Sequence, residues 1–415
     1  MRLLFVHERF GAFGGAEANV LATASELKAR GHTLAILHGP STGRDEAPWC
    51  SVFAERFALP PQGAVPSVRT AVTAFRPDVV FMHKMADLTV VEALTQTSPP
   101  VVRMVHDHDL YCMRGYKYNP LTRQICQRPA SGYCLVPCGA MLARNREGTF
   151  PLQWISYGDK RREIELNRRF ARVIVASTYM KTELTRNGFN EQAIEIHPPV
   201  PRPAELGIAP DFGSRNRLVY AGQIIRGKGV DVLLESLVHV RQPFECMIVG
   251  DGSHRAYCEG LSRSLGLTDR VHFTGFVSQP VIAQYYREAS VALMSSVWPE
   301  PFGAVGLEAM RYGLPVVAFD AGAIGEWLVD GWNGFLVPWM DRARYAAGID
   351  ELLRDKMLAR RMGERGRDWV TERFAFGKYI NGLEDLFARV SKAPPPAVRP
   401  VAVASVPPKP SPALA

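Results

Sequence analysis

The sequence predicts an α/β protein built of two parallel-sheet units. Short apolar runs alternate with helical patterns along most of the chain, and that alternation implies parallel strands joined by crossover helices. A chain of 415 residues also suits two domains better than one. Near the middle, His197-Pro198-Pro199-Val200-Pro201-Arg202-Pro203 reads as the linker between them.

In the first unit the strands are Leu3–His7, Leu34–His38, Val79–His83, Val101–His106 and Val173–Ser177. The first helix is clear, because Val20, Leu21, Ala24 and Leu27 share one face and Gly31 ends it. In the second unit the strands are Leu218–Ala221, Cys246–Gly250, Val271–Thr274, Val291–Met294 and Val316–Phe319. Tyr379, Ile380, Leu383, Leu386, Phe387 and Val390 then make one helical stripe. Residues 392–415 are mostly Ala, Pro, Val and Ser with few charges, so a disordered tail is expected.

Composition narrows the class. A hydrophobic fraction of 47% and a charged fraction of 22% are those of a soluble globular protein. No stretch is long and apolar enough to span a bilayer. Met1–His7 is too short for a secretory signal and reads as a strand, so a cytoplasmic location is the expectation. The net charge of +8 suits phosphorylated ligands, anionic lipid or nucleic acid. Nucleic acid is not an expected partner, because no complete basic–aromatic run or known module is present.

The chemistry is clearest in Trp298-Pro299-Glu300-Pro301-Phe302-Gly303-Ala304-Val305-Gly306-Leu307-Glu308. It follows the apolar run Val291–Met294 and reads as a strand, a loop carrying Glu300, and a helix starting near Gly303. A helix N-terminus exposes unpaired N–H groups that can hold a phosphate. Gly303 lets a ligand approach the backbone closely. Two carboxylates beside an anion site would repel the anion unless they bind something neutral. Sugar hydroxyls fit that need, so the pair points to a nucleotide sugar.

The continuation, Ala309-Met310-Arg311-Tyr312-Gly313-Leu314-Pro315-Val316-Val317-Ala318, completes a pattern of E-x7-E followed by A-M-x-x-G-x-P-V-V-A. In this the segment resembles the retaining glycosyltransferases of family four. The resemblance implies the GT-B fold: two Rossmann-like domains whose parallel sheets face an inter-domain cleft. It implies an acceptor domain over 1–200, a nucleotide-sugar domain over 201–375, and a helix over 376–391 crossing back to the first domain. Glu300 would contact the donor sugar and Glu308 the ribose, with Phe302, Gly303, Ala304 and Val305 along the donor.

Other turns fit the same picture. Gly14 and Gly15 open the first helix, where the family carries G-G-x-E, and would lie near the donor diphosphate. Gly222-Gln223-Ile224-Ile225-Arg226-Gly227-Lys228-Gly229 follows the first strand of the second unit, and cations at such a turn suit a diphosphate. The family usually shows G-R-x-x-x-x-K-G there. Lys228 matches its lysine, Gln223 replaces its arginine, and Arg226 is the candidate for the missing charge. By resemblance, backbone groups near Val277 would read the base. His106 and Asp107, at a strand end of the first unit, are candidates to contact the donor sugar or the acceptor hydroxyl. His-x-His with nearby Asp can also bind zinc, but the family implies catalysis without a metal.

An insert over 111–144 carries Cys112, Cys126, Cys134 and Cys138 and little apolar periodicity. Four thiolates there could bind structural zinc or an iron–sulfur cluster. A basic stretch, Lys160, Arg161, Arg162, Arg168, Arg169 and Arg172, follows Phe150, Trp154 and Tyr157. It offers peripheral contact with the inner face of a membrane.

The expected function is transfer of a sugar from a nucleoside diphosphate sugar to a hydroxyl acceptor (a sugar, glycan or lipid-linked sugar) with the anomeric configuration kept. The rivals are a sugar-nucleotide epimerase and a non-catalytic metal-stapled binding protein on the same scaffold. A NAD-dependent dehydrogenase is disfavoured, because Gly11–Gly15 lacks the G-x-G-x-x-G order and His38, not an acid, ends the second strand.

Overall fold

A computed structural model describes residues 1–12, 14–61, 63–119, 121–144, 152–200, 210, 212 and 216–392. The expected tail beyond 392, residues 201–203 of the expected linker, and Phe150 lie outside the described residues.

The strands, in chain order, are β1 (Arg2–His7), β2 (Thr33–His38), β3 (Glu55–Ala58), β4 (Val79–Met82), β5 (Val101–Val105), β6 (Leu142–Arg144), β7 (Leu152–Trp154), β8 (Arg172–Val175) and β9 (Ile194–Ile196). They continue as β10 (Arg217–Ala221), β11 (Glu245–Val249), β12 (Val271–Gly275), β13 (Val291–Met294), β14 (Val316–Phe319) and β15 (Gly334–Val337). β6 and β7 form an antiparallel hairpin. The others make two parallel sheets, ordered β3-β2-β1-β4-β5-β8-β9 and β12-β11-β10-β13-β14-β15. The protein is therefore α/β with two parallel-sheet domains, as the sequence pattern implies.

Helices cover both faces of each sheet, so central strands are apolar on both sides. All four residues of β4, β13 and β14 are buried. Alternation along β1 splits its side chains between two cores. Leu3 and Phe5 join one cluster, Leu4 and Val6 the other.

Strand order reverses beside β1 and beside β10. At such a switch point the loops leave in opposite directions and open a crevice at the carboxyl ends. Every residue expected at the site lies on loops or helix starts leaving those ends.

The helix Phe376–Lys392 packs on the first sheet although it follows the second in sequence. Phe387 meets Phe81 edge-on at 5.0 Å between ring centroids. The Tyr379 hydroxyl lies 3.2 Å from Thr23 Oγ1. The two domains also touch directly. Ser177 Oγ donates to the Pro301 carbonyl at 2.6 Å, and the Glu326 carboxylate accepts from the Thr178 and Tyr179 N–H groups at 2.9 and 2.8 Å. Among the described residues no helix is long and apolar enough to cross a membrane.

Candidate active site

β13 ends at Met294, and the loop that follows carries Glu300. The side chain is 3% exposed. Its Oε1 accepts from Lys228 Nζ at 2.6 Å, from Trp298 Nε1 at 3.0 Å and from Ser296 Oγ. Burial alone would raise its pKa. Lys228 and these hydrogen bonds outweigh burial and hold it below the usual carboxylate value. A permanently charged carboxylate thus sits against an ammonium in the cleft. Lys228 also lies over the Trp298 ring, 5.2 Å from its centroid. The Lys228 turn is fixed by backbone bonds, because the Val297 and Trp298 N–H groups donate to the Gly227 carbonyl at 2.9 and 3.0 Å.

Gly303 caps the helix Ala304–Arg311 at φ 81°, a left-handed conformation that favours glycine. A Cβ there would also press on Met294 and Trp327 at 3.2 Å. Gly306, Leu307, Ala309 and Met310 bury one face of this helix, while Ala304, Val305 and Glu308 remain partly open. Spacings of three and four place Glu308 above Ala304 and Val305 on that open face. Burial pushes the Glu308 pKa up, with Arg311 opposing. Phe302 turns into the core instead, its ring 5.4 Å from Phe374 and its carbonyl accepting from Trp327 Nε1 at 2.6 Å. Any donor contact from Phe302 must therefore come from its backbone N–H.

Gly222 follows β10 and lies against the turn after β11. A Cβ on Gly250 would sit 1.9 Å from the Gly222 carbonyl oxygen, so these two turns meet only because Gly250 has none. Val277 is partly buried on the domain core. Arg226 is exposed and does not join the Lys228–Glu300 pair. Its charge is felt by Tyr118 of the insert.

The first domain supplies a cavity of about 710 Å³ at the carboxyl ends of β4 and β5. His106, Asp107, Lys84, Arg103 and Lys160 are among its walls. His106 Nε2 is 2.9 Å from His83 Nδ1. Burial holds the His106 pKa down to about 3, with Asp107 opposing, so the imidazole is neutral at working pH. Asp107 and Asp109 clamp Lys84 at 2.9 and 2.7 Å. Burial opposes the Lys84 charge, but the two carboxylates lift its pKa above normal. Gly14 and Gly15 are exposed at the helix start beside β1. The Gly14 N–H donates to Glu17 Oε2 at 2.9 Å, so Glu17 caps the helix. Of the basic stretch, Lys160 turns toward this cavity and pairs with Glu163, while Arg162 pairs with Glu92.

The loop after β5 joins the two halves. His108 Nε2 lies 2.7 Å from the Pro299 carbonyl oxygen, and the Tyr116 ring is 5.9 Å from Trp298. Sequence reasoning did not single out His83, Lys84, Ser296 or Trp298 as site residues, and it noted His108 only within the His-x-His motif. Lys84 and His83 had a signal, since both sit at a strand's carboxyl end. The contact of His108 with Pro299 had none, because the partner lies 191 positions away.

Cys112, Cys126, Cys134 and Cys138 line a second cavity, of about 350 Å³, and all four thiols are free. Burial pushes the Cys134 thiol up, and the three neighbouring cysteines add to this. Among the described residues no group of three or more His, Cys, Asp or Glu could hold a metal ion.

Two parallel sheets meeting at one cleft, with a helix returning to the first, define the GT-B class of folds. The sequence comparisons agree. Residues 13–201 match the model described as Glycosyltransferase Family 4, and residues 207–369 match Glycosyl transferases group 1. The chain belongs to the family-four, group 1 glycosyltransferases. A D-inositol 3-phosphate glycosyltransferase of Streptomyces bingchenggensis is 33% identical over 46% of this chain and 43% of its own length. A GDP-mannose-dependent alpha-(1-6)-phosphatidylinositol monomannoside mannosyltransferase of Mycobacterium tuberculosis is 30% identical over 44% of this chain and 50% of its own. The chain spans about half the length of these curated relatives. HepE of Anabaena, crystallised with UDP and glucose, superposes with a TM-score of 0.70 over 94% of this chain and 100% of its own, at 21% identity.

Proposed function

We propose that the protein transfers a sugar from a nucleoside diphosphate sugar to a hydroxyl acceptor with retention and without a catalytic metal. The observation that carries this reading is the pairing of the buried Glu300 with the partly exposed Lys228 just before the helix Ala304–Arg311. Lys228 and the helix N–H groups would stabilise charge developing on the leaving diphosphate. Glu300, with Oε1 occupied by three donors, would orient donor hydroxyls through Oε2. Glu308, on the open helix face, would anchor the ribose. The relatives support the donor class, since one is named for GDP-mannose and a structural neighbour was crystallised with UDP and glucose.

The acceptor would enter the cavity beside His106. Retention requires attack on the face from which the diphosphate leaves, so the diphosphate itself can take the acceptor proton. A neutral His106 would then position a hydroxyl rather than act as a strong base. Arg103 Nε and Nη1, buried in the cavity wall without hydrogen-bond partners, would welcome acceptor oxygens.

Incubation with a panel of nucleotide sugars tests the reading. Release of nucleoside diphosphate that depends on an added hydroxyl acceptor is expected. An altered free sugar formed with no acceptor would instead show an epimerase. Glu308→Ala should weaken nucleoside diphosphate binding by about 1.5–3 kcal/mol, since the ribose hydroxyls lose a charged hydrogen-bond acceptor. Titration calorimetry showing wild-type affinity in that variant would remove Glu308 from the ribose.

A further inference from the structure

We infer that the acceptor carries an anionic group, a carboxylate or a phosphate, and that Arg103 receives it in the cavity beside His106. The inference rests on the proposed transfer reaction and names the class of acceptor for that same site.

Arg103 is the third residue of β5, a strand buried at all five positions and flanked by β4 and β8. It is 5% exposed and lines the cavity. Val101, Val102, Met104 and Val105 fill the rest of the strand with apolar side chains. A guanidinium in their midst is costly, because a buried ion regains its lost hydration only when it is paired and hydrogen-bonded. Arg103 has no such pairing. Its Nε and Nη1 are buried without hydrogen-bond partners. Glu163, Asp107, Glu8 and Asp109 act on its charge through space, and burial outweighs them. The guanidinium nevertheless stays charged at any working pH.

The other cations of this wall are already bonded. Lys84 holds Asp107 and Asp109 at 2.9 and 2.7 Å, and Lys160 holds Glu163 at 2.5 Å. Arg114 Nη2 donates to the Cys138 and Gly139 carbonyls at 2.7 and 2.9 Å. Those lysine pairs also occupy Asp107, Asp109 and Glu163, which leaves Glu8 as the remaining carboxylate among the described lining residues. Burial raises the Glu8 pKa, whereas Lys84 lowers that of Asp107 against burial, so Glu8 holds its charge less firmly.

A neutral sugar could offer oxygens to Nε and Nη1 but would leave the charge of Arg103 uncompensated. A carboxylate or phosphate supplies acceptor oxygens and the counter-charge together, and the planar guanidinium suits either. His106, kept neutral by burial, adds no second charge and is left for the reacting hydroxyl.

The test is titration of the full chain with glucose, glucuronate and glucose 1-phosphate, with UDP and GDP present to fill the donor site, read by saturation-transfer NMR. Glucuronate or glucose 1-phosphate is expected to bind roughly ten- to a hundredfold more tightly than glucose, as a hydrogen bond to a charged group implies. Whichever anion gains more identifies the group as carboxylate or phosphate. Arg103→Leu should lose the preference, Arg103→Lys should keep part of it, and both should bind nucleoside diphosphate as the wild type does. Without ligand, Arg103→Leu should also be at least as heat-stable as the wild type, since an apolar side chain replaces an unpaired buried charge. An arginine serving only the fold would show the opposite. Equal affinity for glucose and both anions in the wild type, an undiminished preference in Arg103→Leu, or a large loss of stability in that variant would each overturn the inference. Should no acceptor support transfer, the proposed reaction fails while this binding comparison still decides the role of Arg103.

Discussion

Glu300→Gln is expected to lower turnover by roughly a hundred- to a thousandfold, the range seen when a preorganised electrostatic contact is removed. Glutamine keeps the shape, and its amide oxygen can still accept from Ser296 and Trp298. The change is one of charge. Because the fold holds Glu300 below the usual carboxylate pKa, the side chain is ionised at every working pH. Removing that charge leaves Lys228 without its partner at 2.6 Å. The lysine is 20% exposed, so water can partly replace the carboxylate. The stability cost should stay at roughly 1–3 kcal/mol, below that of breaking a fully buried pair. The protein should fold, bind nucleoside diphosphate and turn over slowly. Lys228→Ala should also lower kcat at saturating donor, and the double variant should be little worse than the more damaged single one. Wild-type kcat in the folded Glu300→Gln protein would exclude this carboxylate from the chemistry.

Most of the strands that were legible in sequence share a physical cause. β1, β2, β4, β5, β8, β10, β11, β13 and β14 have strands on both sides, so burial writes mainly apolar runs, and only β12 was legible from a sheet edge. The strands that were not legible lie at sheet edges. β3, β9 and β15 are short, and the alternation Glu55-Arg56-Phe57-Ala58 has only one side chain partly covered. The site divides in the same way. The local placement of Glu300, Glu308 and Lys228 was legible because a helix start, a glycine turn and their spacing lie within one local segment each. Contacts that close the cleft join residues far apart in the chain, as His108 does with Pro299, and leave no local trace. The cysteines show a middle case. Their clustering was visible in the sequence, and the fold brings all four to the walls of one cavity.

Stability is expected to fall steeply as pH drops from about 7 toward 5, because imidazoles behind the cleft are kept neutral by the fold. His7 is fully buried, and burial outweighs the nearby Glu17 carboxylate to bring its pKa down to about 4. His83 is also fully buried and lies well below normal, for the same reason and through the neighbouring His106 and His7. In the unfolded chain each would bind a proton near pH 6.5. Between that value and the folded pKa, the unfolded state carries the extra proton, so stability is present above pH 6.5 and lost as pH falls. Each such group contributes about 1.4 kcal/mol per pH unit over that window. His106, partly open to the cavity, adds a smaller share in the same direction. Glu8 and Glu163 work in the opposite sense, since burial raises their pKa and the folded state binds protons more readily. Their opposing effect grows as pH falls toward the carboxylate range, so the histidine effect is expected to prevail nearest pH 6.5. Urea unfolding at steps between pH 7.5 and 5 should show a falling midpoint with little change in slope. Ring-proton resonances of His7 and His83 should not titrate in the folded protein over that range. An imidazole at either position titrating near pH 6.5, or a midpoint flat from pH 7 to 5.5, would contradict the buried neutral arrangement and with it the neutral state assigned to His106.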